Sequence, residues 1–128
     1  MRYLATYLIL ILILSLLGSG FCLADEPAKL LISQIQITGG SGLTHQDFVK
    51  IYNPNNEAID LQGYRLVKRT ATGTSDGSLK SWTSSTIIES QQYHLWASSK
   101  DGYADSIQAD SSTSQTLAAN NSLAIRYG

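Results

Sequence analysis

The chain is 128 residues long, has a formal net charge of −1 and contains one cysteine. That length supports one domain with its own core and excludes two. A lone cysteine excludes an internal disulfide framework, and the charge balance gives no support to general nucleic-acid binding.

The first 24 residues read as an export segment. Arg2 is the only charge before Asp25, and Leu4 to Leu17 is almost wholly Leu and Ile. Gly18, Ser19 and Gly20 follow, then Cys22-Leu23-Ala24. A short basic start, an apolar run and small residues before a cut describe a secretory signal peptide, with cleavage expected after Ala24. Left uncleaved, the same hydrophobic helix is a membrane anchor, since roughly 20 apolar residues span a bilayer. Lipidation of Cys22 is a weaker third reading, because Phe21 before it is large. Cleavage removes Arg2 and Cys22, leaving eight basic and ten acidic residues and a net charge of −2. The chain that remains has no thiolate for a disulfide, a zinc site or nucleophilic chemistry.

Residues 25–29 form a polar lead-in, and 30–128 make one domain. From Leu30 the pattern becomes that of strands, with Ile35 and Ile37 alternating against Gln34 and Gln36. Glycines at 39, 40 and 42 break it. Phe48–Tyr52 is the next strand, with Val49 and Ile51 on one face. Asn53-Pro54-Asn55-Asn56 is a turn that returns the chain hairpin-fashion, because Pro54 cannot donate to a ladder and Asn bonds its own backbone. Ile59 and Leu61 share a face, and Gly63 is either a turn residue admitting Tyr64–Val67 or a bulge. Ala71–Ser78 reads as a hairpin tip. Leu79–Trp82, Thr86–Ile88, Tyr93–Ala97 and Ser122–Tyr127 are further strands. Ser98–Ser114 reads as a loop, and Thr116-Leu117 precedes a turn at Ala118–Asn121. No segment after residue 24 sustains a helical period. Short strands separated by frequent turn signals give an all-β sandwich or barrel.

In order and spacing, Ile32-Ser33-Gln34-Ile35, Asp47–Pro54, Ala58-Ile59-Asp60-Leu61-Gln62-Gly63-Tyr64-Arg65-Leu66, Thr86–Ile88 and Tyr93-His94-Leu95 resemble the lamin-tail domain. The D-L-x-G-Y-x-L segment with Y-N-P before it is its most specific part. The likeness spans Leu31 to Tyr127. It departs at Gln34 and Lys50, where the family favours Glu. The last strand would also lack the hairpin partner that the family supplies beyond it. The resemblance implies an immunoglobulin-like β-sandwich without catalytic residues or cofactors. Exported bacterial members resemble accessory modules, sometimes beside hydrolases or nucleases. The expected role is a binding module at or outside the cell surface, its partner a protein or an extracellular polymer. The alternatives are the amino-terminal piece of a longer exported enzyme and a membrane-anchored structural protein.

The residues offer little for catalysis. His45 and His94 are the only histidines, and no G-x-S-x-G elbow accompanies the many serines. Asp101, Asp105 and Asp110 lack calcium-loop spacing and read as solvated acids. Arg65, Lys68 and Arg69 form a basic cluster that Lys80 joins across the hairpin. It is either a phosphate- or polyanion-facing patch or a charged edge strand that discourages aggregation. Tyr64, Trp82, Tyr93, Trp96 and Tyr103 are expected mainly in the core. Arg65, Lys68, Arg69 and Trp82 are the candidate ligand or partner contacts. No metal or cofactor site is expected.

Overall fold

A computed structural model of the protein describes residues 29–128. The expected export helix and the cleavage position at Ala24 lie outside the described residues. Those described are mostly β, in three small sheets, with one short helix. The strands are β1 (Leu31–Gln36), β2 (Phe48–Tyr52), β3 (Ile59–Asp60), β4 (Tyr64–Thr70), β5 (Gly77–Ser81), β6 (Ile87–Ile88), β7 (Tyr93–Ser98), β8 (Ser111–Thr113) and β9 (Asn121–Tyr127). They form a four-stranded sheet β1-β2-β7-β8, a pair β3-β6 and a three-stranded sheet β5-β4-β9.

The period-two patterns explain which side chains fill the interior. Val49 and Ile51 of β2 are fully buried, as are Leu66 of β4 and Trp96 of β7, while Leu61, Leu79, Ile88 and Leu117 complete the same cluster. One core therefore takes side chains from all three sheets. β1 obeys the alternation with one interruption. Ile32 lies opposite Ile51 and Gln34 opposite Lys50, so Ser33 is an extra residue. This bulge puts Ile32 and Ile35, three positions apart, in the same row. Ile35 remains 46% exposed at the sheet edge, whereas Ile32 and Ile37 pack against the core.

Several expectations are corrected. Asn53–Asn56 does not return the chain as a hairpin. β3 pairs with β6 and not with β2, so the turn carries the chain from one sheet to another. The Ser98–Ser114 stretch is not a bare loop. It contains a 3₁₀ turn at Lys100–Gly102, a single-turn helix α1 (Tyr103–Ser106) and β8. β8 runs parallel to β7, with Trp96 opposite Ser111. A hydroxyl, not apolar burial, fixes it: Thr113 Oγ1 donates to the Leu79 carbonyl and accepts the Trp96 indole N–H. Thr116-Leu117 precedes β9 outside any strand, although Leu117 is buried. The last described strand, β9, pairs antiparallel with β4, a strand distant in sequence and not a hairpin neighbour, over seven register positions from Tyr64↔Tyr127 to Thr70↔Asn121.

Candidate functional site

Three polar side chains tie the connections between sheets, and two of them are fully buried. Asp47 accepts the main-chain N–H of Thr38 through Oδ1 and that of Leu117 through Oδ2. Asn53 donates its amide to the carbonyls of Glu57, Ile88 and Glu89, and its Oδ1 accepts from Asn55. Asp60, at the surface, accepts the N–H groups of Gln62 and Thr86 and the Ser85 hydroxyl. Those bonds hold its carboxyl below the usual carboxylate range. Gly63 follows in a turn closed by the Tyr64 N–H on the Leu61 carbonyl. Its φ of +85° suits that turn, and its N–H on the Trp82 carbonyl, with the Trp82 N–H on the Tyr64 carbonyl, sets Gly63 and Tyr64 together opposite Trp82, so the glycine serves both as a turn residue and as the first residue of a bulge. The D-L-x-G-Y and Y-N segments thus serve the frame.

The exposed chemistry lies on the β5-β4-β9 sheet. In β4, Arg65, Val67 and Arg69 alternate with Leu66 and Lys68, and their partners in β9 are Arg126, Ala124 and Ser122. Directly opposed residues share a face, so all three arginines of the described residues stand on one side of the sheet. Each is held by its Nε. Arg65 Nε donates to the main-chain oxygen of Gly128 at 2.8 Å. Arg69 Nε and Nη2 both reach Asp76 Oδ1 at 2.7 Å, and Arg126 Nε reaches Asp76 Oδ2 at 2.7 Å. The Asp76 side chain is only 18% exposed, against 42% for Arg69 and 48% for Arg126. The carboxylate therefore sits beneath two guanidiniums. A cleft of about 230 Å³ runs between Arg69, Asp76 and Arg126 over Val67. A second cleft, of about 360 Å³, adjoins Arg65 and is walled by Tyr64, Trp82, Gln62, Ser81 and Thr83.

The candidate contacts separate. Arg65 and Arg69 share the exposed face and acquire Arg126, which sequence reasoning missed. The alternation Ser122, Ala124, Arg126 against Leu123, Ile125, Tyr127 was the available signal. Lys68 points to the other row and donates to the Thr116 carbonyl, so it is a tether. Lys80 does not join the patch. It stands opposite Leu66, and its charge acts on His94. Nor is the cluster on an edge strand, because β4 lies between β5 and β9. Trp82 is 4% exposed, lines the second cleft, and has an indole N–H without an acceptor among the described residues.

The remaining aromatic and titratable groups serve the frame or stand apart. His94 is buried against the Trp82 ring edge-to-face, with Nε2 2.9 Å from Ser111 Oγ. Burial holds its pKa below the ordinary value, Asp110 opposing and Lys80 reinforcing. His45 pairs with Asp101 at the surface, and Asp110 accepts the Leu95 N–H, so the three loop acids do not converge. Trp96 and Tyr103 are buried as expected. Tyr93 is not: half exposed, it stacks on Tyr52 at 4.7 Å with the Lys50 ammonium over its ring.

Among curated proteins, no significant match to the chain is found. A match to the Lamin Tail Domain family model covers residues 24–126, including the Y-N-P turn, the Asp60 clasp and the whole arginine face except its Gly128 anchor, and the chain belongs to that family.

Proposed function

We propose that the protein is a non-catalytic, exported binding module, built as an immunoglobulin-like β-sandwich and acting at the cell surface or outside the cell. The observation that carries this reading is the arginine face. Three guanidiniums are fixed by their Nε atoms on a solvent-facing sheet, and fixed donors cost little entropy on binding. Export is supported by the apolar run Leu4–Leu17 and the small residues before Asp25. The sandwich reading is supported by a core drawn from the facing rows of the four-stranded and three-stranded sheets. The non-catalytic reading is supported by the use that the fold makes of His94, which is buried under Trp82.

The test is turnover. The purified protein is expected to hydrolyse neither nuclease nor esterase substrates. Hydrolysis that disappears in His94→Gln or His45→Gln would overturn the proposal. Mass measurement of the protein recovered from the medium of expressing cells is expected to place its amino terminus at Asp25.

A further inference from the structure

We infer that the arginine face of the β5-β4-β9 sheet binds a linear acidic polysaccharide, with sugar carboxylates on Arg65, Arg69 and Arg126 and a sugar ring in the cleft beside Arg65. The inference rests on the binding-module reading and names its ligand class.

The first argument is charge. Arg65 and Arg126 are directly opposed across the ladder, an arrangement that like charges disfavour. Asp76 is the one acid lining the adjoining cleft, and it is shared by Arg69 and Arg126. Among side chains, one carboxylate offsets one of three positive charges, so the side-chain charges of the face have an excess of two. An anion laid over it relieves the opposition. The second argument is geometry. Anchoring through Nε leaves both terminal nitrogens of Arg65 and Arg126 without a protein partner among the described hydrogen bonds. A guanidinium fork presented this way matches a carboxylate bidentately. Arg65 and Arg69 are four positions apart on one strand, about 13 Å at strand rise. That separation fits charges repeated along a chain and not a single small anion.

The third argument selects the polymer. The Arg65 cleft, about 360 Å³, has aromatic walls at Tyr64 and Trp82 and hydroxyl or amide groups at Ser81, Thr83 and Gln62. An apolar wall beside such groups suits a sugar ring, whose C–H face packs while its hydroxyls bond. A nucleic acid is less well served. Residues 29–128 contain eight basic and eight acidic side chains, and three cations neutralise little of a phosphate backbone.

Titration calorimetry of the purified protein with polygalacturonate and with alginate tests the site. Fully methyl-esterified polygalacturonate and single-stranded DNA serve as comparisons at equal ionic strength. At least one of the two acidic polymers is expected to bind. Arg65→Gln and Arg126→Gln are each expected to weaken it about tenfold, and Arg126→Lys, which keeps the charge and loses the fork, to weaken it too. Lys100→Gln, the same charge change outside the face, is expected to leave affinity unchanged, and all variants must melt as the parent does. Failure of both polymers to bind overturns the inference. So does binding indifferent to Arg65→Gln and Arg126→Gln, equal affinity for the methyl ester, or tighter binding of DNA. Loss of the polymer site without turnover leaves the non-catalytic reading standing, whereas cleavage of the polymer overturns that reading instead.

Discussion

Asp47 Oδ2 accepts the main-chain N–H of Leu117 at 2.7 Å, joining positions 70 residues apart in the buried interior. The same carboxyl takes Thr38 N–H through Oδ1, and the Asp47 carbonyl takes Ser98 N–H. One residue thus fixes the connection after β1, the end of β7 and the approach to β9. Asp47→Ala leaves two main-chain donors without their acceptor and is expected to cost about 3 kcal/mol. Asp47→Asn keeps the shape but turns an NH2 group toward one of those donors, and it is expected to cost nearly as much. Urea titration reads both as a lowered midpoint with an unchanged slope. A parental midpoint for Asp47→Asn would show that shape alone matters at this position.

The Asn53 amide nitrogen faces three carbonyls, those of Glu57, Ile88 and Glu89. Asn53→Ala removes the donor and is expected to cost roughly 2 kcal/mol. Asn53→Asp sets a carboxylate oxygen against the same carbonyls in a fully buried position. It is expected to cost more than the alanine, roughly 3–5 kcal/mol, because the charge has no compensating partner. The order of the two melting temperatures is the measurement. Aspartate melting above alanine would mean that the site reorganises around a new proton or water.

Sequence alone revealed what depends on period and on turn chemistry. β2 and β7 were legible because Val49, Ile51, His94 and Trp96 alternate with outward neighbours, and Gly63 because so few turns tolerate another residue. The bulge at Ser33 had a signal that went unread, since Ile32 and Ile35 stand three apart where strict alternation would place apolar residues two apart. β8 was invisible because Ser111-Ser112-Thr113 has no apolar content, and its strand state comes from parallel pairing with β7 and the Thr113 hydroxyl. Nothing in the sequence marked Asp47 as buried, because its partners Thr38 and Leu117 are brought to it only by the fold. The arginine face was half legible. Arg65 and Arg69 declare themselves by spacing, but Arg126 and Asp76 arrive through tertiary pairing.

Gly63 has φ +85°, and a Cβ there would lie 3.1 Å from Tyr127 Cε2. Two causes of strain are present, and their magnitudes differ. Tyr127 is 74% exposed and can give way, whereas the left-handed backbone of a non-glycine residue costs about 1–2 kcal/mol wherever its neighbours go. Gly63→Ala is therefore expected to lower stability by about 1–2 kcal/mol, and adding Tyr127→Ala is expected not to restore it. Recovery of the parental midpoint in the double variant would assign the cost to the ring instead.

His94 gives the fold a dependence on pH whose sign follows from its surroundings. Burial opposes the charged imidazolium, Asp110 partly offsets that, and the Lys80 charge reinforces it, so the folded pKa lies below the ordinary value of 6.5. The unfolded chain then binds the proton more readily than the folded one. Stability is complete above pH 6.5 and falls as the pH is lowered from there toward the folded pKa, below which this contribution stops changing. Asp60, whose carboxyl is depressed, adds a second loss only as the pH falls below its ordinary value of 3.8. The two losses begin at different pH, one below 6.5 and the other below 3.8, so the histidine step is read alone above pH 5. Melting temperature measured from pH 8 to pH 5 is expected to decline in the parent and to decline less in His94→Gln, which retains an amide to face Ser111. Parallel curves for the two proteins would remove His94 as the source, and a parent that gains stability on acidification would reverse the sign of the assignment.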